Sequence, residues 1–126
     1  MNIITIAVEG IKLEAELIDT PTTQAIWEAL PIEGAVNTWG EEIYFNIPVN
    51  VAQEPEARAD VSVGELGYWP VGQAFCIFFG RTPASTDENP RAASPVNIFG
   101  RIRGDTTLLK SVKSGAMIRV EQTKAE

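Results

Sequence analysis

The stretch Gly64-Glu65-Leu66-Gly67-Tyr68-Trp69-Pro70-Val71-Gly72-Gln73-Ala74-Phe75-Cys76-Ile77-Phe78-Phe79-Gly80 organises the chain. Its second half, Gln73 to Phe79, is the most continuously apolar run in the sequence. A run of this length, bounded by Gly72 and Gly80, predicts a strand buried on both faces. Alternation along it sends Phe75, Ile77 and Phe79 into the interior and Ala74, Cys76 and Phe78 to the opposite face. The first half, with its glycines and Pro70, predicts a turn-laden loop that displays Tyr68 and Trp69. One stretch therefore supplies a central strand and, next to it, a candidate recognition loop.

Upstream, Ile43, Phe45 and Ile47 alternate with Glu42, Tyr44 and Asn46, the pattern of a strand that turns Tyr44 away from the core. Pro48 interrupts its pairing. Earlier still, Ile3–Val8 and Ile11–Ile18 are two β-type runs separated only by Glu9-Gly10, which predicts a hairpin. Thr20 and Pro21 open a helix as N-cap and first helical residue, and Pro31 ends it. Ala35–Thr38 reads as one short strand. Acids at Glu41, Glu42, Glu54 and Glu56 read as solvated loop residues. Downstream, Arg81–Pro95 is a long connection with three prolines and almost nothing apolar, a length that points to a functional or mobile loop. Val96–Arg103 then reads as a strand, Asp105 as the N-cap of a short helix ending at Gly115, and Ala116–Gln122 as the last strand. Mainly β structure with about eight strands and two short helices predicts a closed antiparallel β-barrel, the helices covering its mouths.

The 126 residues fit one domain spanning 1–126, a size that buries about two-thirds of its unfolded surface. The formal net charge is −7. Residues 1–63 hold eleven acids and two bases, whereas residues 64–126 hold six acids and eight bases. An acidic surface repels phosphate backbones, so no nucleic-acid partner is expected. No apolar stretch reaches the roughly 20 residues of a membrane-spanning helix, so no membrane partner is expected either. Met1-Asn2-Ile3-Ile4 lacks the basic flank of a signal peptide. With a single cysteine, this suggests a reducing, cytoplasmic location. Histidine is absent, which removes the usual general base near neutral pH and every histidine-dependent triad. One cysteine and no histidine cannot build a four-ligand zinc site. Nor does Gly64-x-x-Gly67 match a phosphate-binding loop. The sequence therefore calls for no metal and no cofactor.

The element order, together with Gly72-Gln73-Ala74-Phe75-Cys76-Ile77 and Val96-Asn97-Ile98-Phe99-Gly100-Arg101-Ile102, resembles the cyclophilin barrel. Three motifs are closer to a small prokaryotic cyclophilin-like family of unassigned function. They are Gly67-Tyr68-Trp69-Pro70, Cys76-Ile77-Phe78-Phe79-Gly80-Arg81-Thr82-Pro83 and Ser94-Pro95-Val96-Asn97. This resemblance spans nearly the whole chain. Cyclophilins twist a prolyl bond with an arginine seated next to an apolar pocket. Matching the Pro48 turns places Phe45 at or next to that arginine, flanked by Tyr44 and Asn46. The pocket glutamine, phenylalanine and histidine match Ala74, Cys76 and Val96. The strand Trp39–Val51 contains no arginine, which counts against isomerase activity.

The leading expectation is a barrel that binds a peptide or small-molecule ligand on its concave face, at Tyr44, Phe45, Trp69, Cys76, Phe78 and Arg91. Cys76 reads as a pocket wall, because no histidine exists to activate it. A peptidyl-prolyl isomerase with a substituted site is the first alternative, since rotation about a peptide bond requires no acid or base. A non-catalytic structural or regulatory subunit, including a homo-oligomer, is the second.

Overall fold

A computed structural model describes residues 2–123 of the chain. Strands β1 (Ile3–Val8) and β2 (Ile11–Leu17) form the expected hairpin. Glu9 and Gly10 both take positive φ, 50° and 79°, as a two-residue turn matched to strand twist requires. Helix α1 (Pro21–Ala29) starts where the sequence places it: the Thr20 side chain accepts the Thr23 N–H, and Pro21 occupies the first turn. Its inward face buries Thr22, Thr23 and Ile26.

The remaining strands are β3 (Ile32–Ala35), β4 (Asn37–Thr38), β5 (Glu42–Asn46), β6 (Arg58–Asp60), β7 (Glu65–Trp69), β8 (Ala74–Phe78), β9 (Arg91–Arg103) and β10 (Met117–Gln122). The antiparallel sheet runs β3-β10-β1-β2-β9-β7-β8-β5-β4, with β6 added on β9. The expected closed barrel of about eight strands is corrected in two respects. There are ten strands among the described residues, and no ladder joins the two end strands β3 and β4. The physical reason lies in segment 32–38, which was expected to hold one strand. Ile32–Ala35 pairs with β10, and Asn37–Thr38 pairs with β5. The chain itself carries the sheet from one end to the other at Val36, whose N–H donates to the Ala116 carbonyl. The second expected helix is a 3-10 helix, Thr106–Ser111, with Asp105 as N-cap.

The stretch from Gly64 to Gly72 also departs from expectation. It is not a displaying loop, because β7 runs through Tyr68 and Trp69, with β8 on one side and β9 on the other. Gly67 here marks close approach, not a turn: a Cβ would lie 2.7 Å from the Val96 Cγ2 atom. The adjacent aromatics therefore point to opposite faces. Tyr68 is fully buried in the main core, where its hydroxyl donates to the Val49 carbonyl at 2.6 Å and accepts from the Val51 N–H.

The long connection is shorter than expected too. Arg91–Pro95 belongs to β9 and lies against β6. The register slips between Arg58↔Val96 and Asp60↔Arg91, and an irregular stretch of this kind accepts Pro95, which has no N–H to give.

Both faces of the sheet are covered. The main core holds Phe45, Phe75, Ile77, Phe79 and Phe99 with the apolar faces of β1, β2 and β10. Phe75 meets Phe45 at 5.3 Å and Phe99 edge-on at 5.0 Å between ring centroids. On the opposite face a smaller cluster contains Val61, Ala74, Cys76, Phe78, Ala92 and Val96, with Tyr44, Trp69 and Ile98 against it. The alternation expected along β8 is thus met at every residue from Ala74 to Phe79. Between β9 and α1, buried Asn97 accepts the Glu54 N–H at 2.8 Å and donates to Thr22 Oγ1 and the Ala52 carbonyl, both at 3.0 Å. These bonds pin the loop after β5 onto β9.

Candidate functional site

A cavity of about 200 Å³ opens on the face of the smaller cluster. Strand β5 contributes Glu42 and Tyr44, the preceding turn Trp39, β7 Trp69, β8 Cys76, and β9 Ala92, Ala93 and Val96. Register explains the convergence. Tyr44 stands opposite Cys76, Glu42 opposite Phe78, and Trp69 opposite Ala74, and cross-strand partners share one face. The small side chains of Ala92 and Ala93 leave the space open.

Two local devices hold Trp69 in place. Its indole N–H donates to Ser94 Oγ at 2.6 Å. Gly72 lies flat against the ring: a Cβ there would come within 2.6 Å of two ring carbons. The turn carrying Gly72 is itself tied down, since Asn46 Nδ2 donates to the Gly72 carbonyl at 2.7 Å.

Glu42 is the anomaly of this cavity. It is only 5% exposed, and its Oε1 is the one buried side-chain polar atom among the described residues without a hydrogen-bond partner. Burial raises its pKa to about 7, against a smaller lowering by the Cys76 thiol. The thiol also makes a long 3.9 Å contact with the Ala74 carbonyl. Burial, and then the neighbouring Glu42 charge, push Cys76 well above the usual thiol range. It stays protonated and is a poor nucleophile, as the sequence suggested. The reading of Glu42 as a solvated loop acid is overturned: Trp39 and the first half of β9 line the cavity with it, and nothing local in the sequence announces that.

The expected ligand-binding residues divide. Tyr44, Trp69 and Cys76 line the cavity together. Phe78 is fully buried in the smaller cluster but is not part of the lining. Phe45 lies in the main core on the other face of the sheet. Arg91 pairs with exposed Asp60 at 3.1 Å and does not line the cavity. Trp39, Glu42, Ala92 and Ala93 are the residues that sequence reasoning passed over.

A larger groove of about 450 Å³ lies elsewhere, between β2, β9 and the loop around Glu54–Arg58. Its buried acid, Glu65, is fully partnered. Arg58 binds it with two N–H groups at 3.0 and 2.8 Å, the Ser62 N–H adds a third bond, and Arg101 stands 3.9 Å away. Burial opposes ionisation of Glu65, but these partners win and lower its pKa. That groove has no unmet polar demand among its buried acids.

The model of the cyclophilin-like family matches residues 2–121. The chain belongs to the cyclophilin-like family. The fold of this cyclophilin-like chain is similar to the solution structure of the hypothetical protein AF2241 from Archaeoglobus fulgidus. The TM-score is 0.82 at 40% sequence identity, covering 97% of this chain and 95% of that one. No curated protein matches the chain. Within the cyclophilin-like framework, Cys76 and Val96, which resemble positions of the cyclophilin pocket, line the cavity, whereas Ala74, opposite Trp69 in the sheet, does not. Phe45, matched at or next to the arginine, points to the core, and no arginine or lysine lines the cavity. No helix among the described residues is long and apolar enough to cross a membrane.

Proposed function

We propose that this cyclophilin-like domain binds a small ligand, or one side chain of a peptide, in the cavity walled by Tyr44, Trp69 and Cys76. The observation that carries the reading is the buried, unpartnered Oε1 of Glu42, a residue of a lining otherwise built of aromatic and small side chains. A buried acceptor without a partner costs about 1–3 kcal/mol, and a ligand that supplies a donor recovers that cost. An apolar cavity with one placed polar group is the usual form of a ligand site.

The reading is tested by a fragment screen followed by NMR. Hits are expected to move the Tyr44 and Trp69 resonances, and Ala93→Trp, a bulky replacement in the cavity lining, should abolish those shifts. Hits that leave these resonances unmoved sink it.

Isomerisation is the second reading, favoured by the position of the cavity over residues matched to the cyclophilin pocket. It requires a donor to the prolyl nitrogen, and the lining offers no guanidinium. The expected result with a panel of X-Pro peptides is therefore a rate no greater than in buffer, and clear acceleration would reinstate the isomerase.

A further inference from the structure

The described residues contain two buried carboxyl groups, Glu42 and Glu65. The contrast between them is informative. Glu65 has two arginines and a backbone N–H, whereas Glu42 has no cation and one oxygen with no partner at all. The fold thus builds complete countercharge for one buried acid and none for the other. A buried acid without a cation is costly, and the cost is removed if the cation arrives from outside.

The surroundings of Glu42 specify what kind of cation. Trp39, Tyr44 and Trp69 line the same cavity, and aromatic faces attract an ammonium group through the ring quadrupole, most strongly when water is excluded. Trp39 and Trp69 are two of the three tryptophans of the chain. Trp69 is held by Ser94 on its N–H and Gly72 on its ring, so this wall is formed before any ligand enters. A volume of about 200 Å³ is below the roughly 300 Å³ at which drug-sized sites begin. It accommodates one compact group, not a whole metabolite.

Resting on the ligand-binding reading above, we propose that the cavity binds a methylated ammonium group that keeps an N–H, its alkyl groups against Trp39, Tyr44 and Trp69 and its N–H donated to Glu42. Three features favour this group over its nearest rivals. A bare metal ion finds one carboxyl and no second acidic ligand in the lining. A guanidinium or primary ammonium keeps more N–H groups than the single free acceptor can satisfy. A neutral apolar group leaves Glu42 unpartnered. The acidic first half of the chain adds long-range attraction for cations.

Ionisation should couple to binding. Glu42 titrates near pH 7 because of its burial. The titratable groups next to it in the cavity are the Cys76 thiol from β8 and the Tyr44 hydroxyl from β5, while β9 contributes only Ala92, Ala93 and Val96. Arg91 and Asp60 lie outside, paired with each other. The cation binds the ionised carboxylate, so its affinity rises with pH through neutrality and levels off above it.

The test uses the full chain, with the indole N–H resonances of Trp39 and Trp69 as readout and Trp27, which packs on the main core, as internal control. Trimethylammonium is titrated against tert-butanol, a neutral probe of the same shape, and against tetramethylammonium, which lacks the N–H. Trimethylammonium should bind about tenfold more tightly than tert-butanol and more tightly than tetramethylammonium. Its affinity should increase about tenfold from pH 6 to pH 8. Glu42→Gln, nearly isosteric, should erase the pH dependence and reduce the preference to what the aromatic rings alone supply, and Ala93→Trp should erase binding. Equal binding of tert-butanol overturns the cation inference but leaves the ligand-binding reading standing, as does a pH-independent preference that is undiminished in Glu42→Gln. If none of the three probes moves Trp39 or Trp69, the cation inference falls, and the broader reading is then decided by the fragment screen alone.

Discussion

At the scale of single residues, Glu42 is where the sequence and the fold conflict, and the conflict has a measurable signature. Its folded pKa of about 7 lies above the ordinary 4.5. Between those values the folded chain holds a proton that the unfolded chain has released. Stability therefore falls as pH rises from about 4.5 to 7 and is flat above, the reverse of a salt-bridged acid. The full displacement corresponds to about 3 kcal/mol. Glu42→Gln is accordingly expected to match the parent chain at pH 4 and to exceed it by about 2–3 kcal/mol at pH 8. Urea denaturation at the two pH values measures this, and equal stabilities at pH 8 would show that the carboxyl is not buried as described.

At the scale of elements, the turn between β7 and β8 positions the site. It places Gly72 under the Trp69 ring with no space for a methyl group, so Gly72→Ala must displace the indole. The displaced ring strains or loses its bond to Ser94, at a cost of about 1–3 kcal/mol. A shifted Trp69 indole resonance and a lower urea midpoint are expected for Gly72→Ala. The neighbouring Val71→Ala should leave both unchanged, because Val71 is 77% exposed. If Gly72→Ala leaves the indole where it was, the contact does not hold the ring.

The same turn shows which elements were legible in the sequence. The β1–β2 hairpin, the Thr20 cap and the alternation of β5 and β8 were all readable, because each is decided by neighbours within a few residues. Tyr44 and Cys76 followed from that alternation, whereas Trp69 was named from a loop that is in fact strand β7. Gly67 was misread because a glycine that opens a turn and a glycine that admits Val96 look identical in one dimension. Glu42 and Trp39 were missed for a related reason. Their burial depends on the first half of β9, about 50 residues later in the chain, and on Pro95 being tolerated inside a strand.

At the scale of the whole molecule, the sheet has two cores and one set of strands. Phe75 and Ile77 face the main core, while Ala74, Cys76 and Phe78 face the smaller cluster. The smaller cluster has six buried members, too few to offset the ordering entropy of its own strands. It persists because the main core has already ordered β5, β7 and β8. The ends of the sheet are coupled in the same way: β3 and β4 share no ladder, yet they are joined through Val36, itself buried in the main core. Loss of either core should therefore unfold the other. With 5-fluorotryptophan, Trp27 reports the main core and Trp69 the smaller cluster, and their urea midpoints are expected to coincide with each other and with far-ultraviolet circular dichroism. A lower midpoint at Trp69 alone would mean that the cavity opens as a separate unit, its aromatic walls not held by the main core.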